Sequence, residues 1–166
     1  IFNSYNIQIT MKKLLIVLLF IPVVSFGQTA EASQLLESGI QKVFDDKFDE
    51  AVRDFNLALE KDKKGYIKHK IYFERAQLKR IEFKDFNGAL KDYTSSIKFN
   101  PNYARAYMYR GILYERNIKN LEAAEKDYRE SIKVDPKCGT CFFTLGDLVE
   151  LPPNERIKHL EKAAEL

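Results

Sequence analysis

Apolar and small residues recur three and four positions apart through most of the chain, the spacing of one face of an α-helix. Between Asn87 and Phe99 that face is marked by Ala89, Leu90, Tyr93, Ser96 and Ile97. The stretch from Ile71 to about Phe83 has the same spacing, so residues 69–101 predict two helices joined by a short turn. Asn100-Pro101 ends the second helix. Proline lacks the amide a continuing helix needs and pushes its predecessor out of helical dihedrals.

The pattern then repeats. Tyr72-Phe73-Glu74-Arg75-Ala76 lies over Tyr107-Met108-Tyr109-Arg110-Gly111 at an offset of 35 residues. The same offset carries Leu78 to Leu113, Ala89 to Ala124, Asp92 to Asp127, Tyr93 to Tyr128 and Pro101 to Pro136. Small, aromatic and proline positions recurring in register predict one structural unit used several times. The units fall at about 32–62, 69–101, 104–136 and 138–166. In the first, Gly39, Ala51, Phe55 and Ala58 keep the register, the inter-helix turn is shorter, and the junction over Lys61 to Lys70 is longer and has no closing proline. The fourth opens with Phe142, Leu145 and Gly146, turns at Leu151-Pro152-Pro153-Asn154 and predicts a last helix from Glu155 to Leu166.

These residues resemble the tetratricopeptide repeat. Its aromatic, small and proline roles fall on Tyr107, Gly111, Tyr114, Ala124, Tyr128, Ser131 and Pro136 in the third unit, and on Tyr72, Ala76, Ala89, Tyr93, Ser96 and Pro101 in the second. Arg75 and Arg110 stand where the family has leucine, and both units carry one extra residue between their helices, which predicts an altered turn. The resemblance implies an all-α fold, a right-handed α-solenoid of about four helical hairpins, with a concave groove lined by the first helix of each. One hairpin cannot bury its apolar face alone, whereas stacked neighbours form a continuous core.

The first residues read differently. Ile1 to Thr10 show no packed element and suggest a misplaced start. Met11-Lys12-Lys13 then precedes the apolar run Leu14 to Val24, followed by Ser25-Phe26-Gly27. A positive n-region, a short apolar run and small residues before a cut between Gly27 and Gln28 are the features of a secretory signal over residues 11–27. The run is short for a membrane span. Residues 28–166 then form the repeat domain, in the periplasm or outside the cell, with no membrane insertion after cleavage.

Charge narrows the partners. Without residues 1–27 the chain carries 25 basic and 24 acidic side chains, so net charge supplies no reason to expect nucleic acid or anionic membrane. The lysine-rich junction, with Lys61, Lys63, Lys64, Lys68 and Lys70, reads as a solvated loop that could touch an acidic partner.

Chemistry is sparse. No phosphate-cradling glycine loop, Ser-His-Asp constellation or zinc-protease motif is present. The chain therefore reads as non-enzymatic, with no catalytic residue, metal site or cofactor. His69 and His159 are expected at the solvent. Cys138-Gly139-Thr140-Cys141 has the spacing of a local disulfide, with inert thiols or a redox or metal role as alternatives. By the resemblance, residues just before and after the small position of each first helix face the groove. They are Lys70, Phe73, Gln77 and Arg80 in the second unit, Arg105, Met108, Ile112 and Arg116 in the third, and Phe143 and Asp147 in the fourth. The family's chaperone-binding clamp of lysine, asparagine and arginine is not matched, because Phe73 and Gln77 stand at the lysine and asparagine places. Basic side chains among apolar anchors suit an extended peptide carrying acids or a C-terminal carboxylate. A scaffold that holds a protein or peptide in its groove is the function expected. A structural protein that self-associates into a homo-oligomer through its C-terminal end is the main alternative, and a thiol-disulfide role a further one.

Overall fold

The computed structural model describes residues 29–148 and 151–166, so the signal-like segment and the cut after Gly27 lie outside the described residues. Eight helices follow one another: α1 (29–44), α2 (Phe48–Lys61), α3 (Lys68–Ile81), α4 (Phe86–Phe99), α5 (Ala104–Leu113), α6 (Leu121–Val134), α7 (Gly139–Asp147) and α8 (Pro153–Glu165). No strand occurs among the described residues. Neighbouring helices pair as hairpins, α3 with α4, α5 with α6 and α7 with α8, and each hairpin stacks on the next through α4–α5 and α6–α7.

Local chemistry sets the helix ends. Asp85 and Asn120 cap α4 and α6, their side chains accepting from the amides of Gly88 at 2.9 Å and Ala123 at 3.0 Å. Asn100 and Asp135, each before a proline, leave helical dihedrals with ψ of 94° and 90°. The last helix begins at Pro153, two residues before the expected Glu155, because proline is accommodated in a first turn whose amides have no partner.

The extra residue in the middle units has a definite place. At the end of α5 the backbone widens into a π-turn over Tyr114–Ile118, and Lys119 takes φ of 64°. The amide of Asn120 then donates to the Tyr114 carbonyl at 3.0 Å, six residues back. In the second unit, Lys84 at φ 52° and an Asp85 amide bonded to the Lys79 carbonyl at 2.9 Å repeat that closure. The shorter first turn closes from Lys47 to the Lys42 carbonyl, five residues back, through Asp46 at φ 58°.

Close approach within a hairpin needs a small residue on the first helix. A Cβ at Gly111 would stand 2.6 Å from the Tyr128 ring, and one at Gly39 would stand 2.5 Å from Phe55. Three apolar clusters result, centred on Phe55, on Phe73 with Tyr93, and on Tyr128 with Leu145.

Arg75 and Arg110 explain their departure from leucine. Arg110 donates through Nε and Nη2 to both oxygens of Asp127 at 2.7 and 2.8 Å, and Arg75 meets Asp92 in the same way at 2.8 and 2.7 Å. Each pair ties the first helix of a hairpin to the second. In the first unit Asp54 accepts from the Ser38 hydroxyl at 2.6 Å and pairs with Lys42 at 2.9 Å. Burial pushes the Asp54 carboxyl up, but the Ser38 and Lys42 hydrogen bonds outweigh it and hold the group below its ordinary range.

Candidate functional site

Helices α1, α3, α5 and α7 are the first helices of the hairpins, and the residues named from the sequence on α3, on α7 and on α5 with its π-turn divide into two sets. Lys70, Arg105, Arg116, Phe143 and Asp147 are exposed, and Gln77, Arg80 and Ile112 are half-buried. Phe73 and Met108 are corrections: they are core residues, 0% and 7% exposed. Phe73 is roofed from the next unit by Tyr103 and Tyr109, edge-on at 5.3 and 5.4 Å, and flanked within its own hairpin by Tyr93 at 5.9 Å. The Arg105 guanidinium closes the cage, 4.9 Å from the centre of the Phe73 ring. Ile112 contributes one side to the third apolar cluster.

Beneath the basic rim lies a hydrogen-bonded layer. The Tyr93 hydroxyl donates to Gln77 Oε1 at 2.5 Å, and Arg80 Nη2 reaches the same oxygen at 3.2 Å. Arg80 Nε is buried without an acceptor among the described residues. One unit further on, the Tyr128 hydroxyl donates to Glu115 at 2.6 Å. Burial raises both tyrosines well above the ordinary phenol range, and the Glu115 carboxylate adds to the effect at Tyr128.

Between α1 and α3 lies an apolar cleft of about 120 Å³, floored by Ile40, Val43, Phe55 and Leu78 and edged by Phe44 and Ile81. Clefts that hold small molecules begin at about 300 Å³, so this one matches a single side chain. Phe44 is 78% exposed at its lip, and Glu74 and Glu82 provide its polar border. Burial raises the Glu74 carboxyl despite the opposing charge of Arg105. Sequence reasoning did not pick out Glu74, Ile81 or the α1 residues. Their signal was the i, i+4 series continuing from Lys70 through Glu74, and Ile40 directly after Gly39 as Gln77 follows Ala76.

Phe143 borders a second, open depression with Gly139, Thr140, Leu160, Ala163, Ala164 and Leu166 at the C-terminal end of the stack. Cys138 and Cys141 form a disulfide at the start of α7, and the Cys138 sulfur also accepts the Cys141 amide at 3.2 Å. The histidines are not solvent-facing as expected. His69 packs edge-on against Tyr103 at 5.3 Å and burial lowers its pKa, while His159 lies beside Phe142 at 5.9 Å. No group of three or more metal-ligating side chains occurs among the described residues, and no described helix is long and apolar enough to cross a membrane.

This geometry is that of a tetratricopeptide-repeat solenoid, and solved structures share it. MamA superposes with a TM-score of 0.66 at 19% identity, covering 81% of this chain and 77% of its own. TTC0263, a thermophilic repeat protein of Thermus thermophilus, gives 0.64 at 20% identity over 81% of this chain and 74% of its own. The first repeat domain of Spaghetti (RPAP3), bound to the HSP90 peptide SRMEEVD, gives 0.58 at 22% identity over 82% and 93%. No protein-family model matches the sequence, and a search of curated proteins finds no match.

Proposed function

We propose that the chain is a non-catalytic scaffold whose inner wall holds an extended segment of a partner protein. The observation that carries this reading is the pairing of a one-side-chain apolar cleft with a row of cations on the same wall. An apolar side chain of the ligand fills the cleft edged by Phe44 and Ile81. Its carboxylates lie along the exposed Lys70, Arg105 and Arg116. A repeat domain of this fold that carries a bound acidic peptide supports the mode of binding. The signal-like pattern of Met11 to Gly27, together with the disulfide, supports a place outside the cytoplasm, which cell fractionation of the tagged chain tests.

Selection from a random peptide library tests the groove. Enriched peptides are expected to combine acids with one apolar side chain. They are expected to be lost by a Lys70→Glu, Arg105→Glu, Arg116→Glu variant with unchanged helical circular dichroism. Enrichment without acids, or equal retention by the variant, overturns the assignment.

A further inference from the structure

A hairpin solenoid places every second connection on the same edge, and the charges of this chain separate between its two edges. The turns inside the first two hairpins are rich in acids: Asp45, Asp46, Asp49 and Glu50 surround Lys47, and Glu82 and Asp85 flank Lys84, while the third balances Glu115 and Glu122 against Arg116 and Lys119. The first two connections between hairpins are basic. Residues 61–70 hold five lysines and one acid, Lys61 pairing with Glu31 at 2.7 Å, and Lys98 continues the row at the next connection; at the third, Asp135 offsets Lys137 and Lys133 pairs with Glu130 at 3.3 Å. A near-neutral total therefore hides a polarised molecule.

The basic edge is built rather than loose. Asp62, 1% exposed, accepts the amides of Gly65, Tyr66 and Ile67 at 3.1, 3.1 and 2.7 Å, fixing the long junction in one shape. Its one acid is thereby consumed by the backbone. Gly65, at φ 79°, packs against Phe99, whose ring stacks on Tyr72 at 5.6 Å. Lys64 and Lys68 lie over aromatic rings, at 5.9 Å from Tyr66 and 5.4 Å from Phe99, rather than against carboxylates. Tyr66 remains 60% exposed and Phe99 42%. Neither cleft described above is lined by these residues.

We infer that this edge docks on an anionic lipid surface, with the lysines facing headgroup phosphates and Tyr66 and Phe99 entering the interface. Lysines gain from the negative surface potential of anionic lipid, and a tyrosine ring such as Tyr66 settles at the headgroup level with Phe99 beside it. An acidic polypeptide would call for apolar pockets that alternate with the cations, and neither cleft described above lies on this edge. The docking is peripheral and leaves the inner wall open.

Sedimentation of the full chain with vesicles tests the inference, comparing phosphatidylcholine alone with an equimolar mixture of phosphatidylcholine and phosphatidylglycerol. Binding to the neutral vesicles reports any contribution of the apolar run Leu14 to Val24, so the reading is the excess on anionic vesicles. Each lysine near such a surface is worth about fivefold in partitioning, so Lys63→Gln, Lys64→Gln, Lys68→Gln together lose roughly a hundredfold of that excess. Tyr66→Ala loses part of it, and added salt suppresses it. Lys47→Gln, Lys84→Gln, Lys119→Gln removes the same charge from the opposite edge and is expected to leave it unchanged. Equal loss in both triple variants, no excess in the native chain, or retention of soluble polyglutamate in place of vesicles each overturns the inference. Melting curves confirm that the variants remain folded.

Discussion

Replacing Arg110 by leucine restores the residue found at this place in the repeat family and should nevertheless destabilise the protein. The Arg110–Asp127 pair is bidentate at 2.7 and 2.8 Å, with side chains 17% and 5% exposed. Removing the cation leaves the Asp127 carboxylate between two helices with no other basic group paired to it among the described residues. Breaking a buried pair from one side costs about 3–5 kcal/mol. The lower end is appropriate because Arg110 keeps some contact with water. For a chain of this size a loss of about 3 kcal/mol lowers the melting temperature by roughly 10 °C. Arg75→Leu supplies an internal comparison. Asp92 retains Lys79 at 2.8 Å, so the loss there should be about half as large. A double-mutant cycle completes the measurement: Arg110→Leu with Asp127→Ala removes both charges and should return to within about 1 kcal/mol of the native chain. Urea unfolding followed by circular dichroism reads all of these. A loss below about 1 kcal/mol for Arg110→Leu, the size of a surface pair, would refute the reasoning. So would equal losses at Arg75 and Arg110.

Three further outcomes follow from single contacts. Gly111→Ala should cost about 1–3 kcal/mol, measured by thermal melting, because its Cβ would stand 2.6 Å from the Tyr128 ring and overpack the hairpin. Asp62→Ala removes the acceptor for three amides; stability should fall by about 2 kcal/mol, and hydrogen exchange should accelerate at Gly65, Tyr66 and Ile67. Asp54 has a folded pKa below its unfolded value, so its stabilisation is full above the ordinary carboxylate range and is lost as pH falls through the folded value. Asp54→Asn should therefore weaken the protein at neutral pH and make no difference in strong acid; a penalty independent of pH would contradict the assignment.

The repeat was legible in the sequence because a solenoid asks the same thing of every unit. Each hairpin needs a small residue where its helices meet, as at Gly111 against Tyr128, and a stop such as Asn100-Pro101. Those are local demands, and they recur at a fixed interval. The inner wall was only partly legible. Helical spacing places Phe73 on the same face as Gln77, and Met108 on the same face as Ile112, but it cannot tell how far the next unit reaches over them. Tyr103, Tyr109 and Arg105 arrive from another hairpin and close above Phe73, turning a candidate contact residue into core. The arginine–aspartate ties escaped for a similar reason. Arg75 and Asp92 lie 17 residues apart on two helices, and no periodic rule links positions across a turn whose width depends on an extra residue. The separation of charge between the edges also belongs to the tertiary structure. Lysines at 61–70 and 98 are scattered along the chain, and only the alternation of antiparallel helices gathers them on one side.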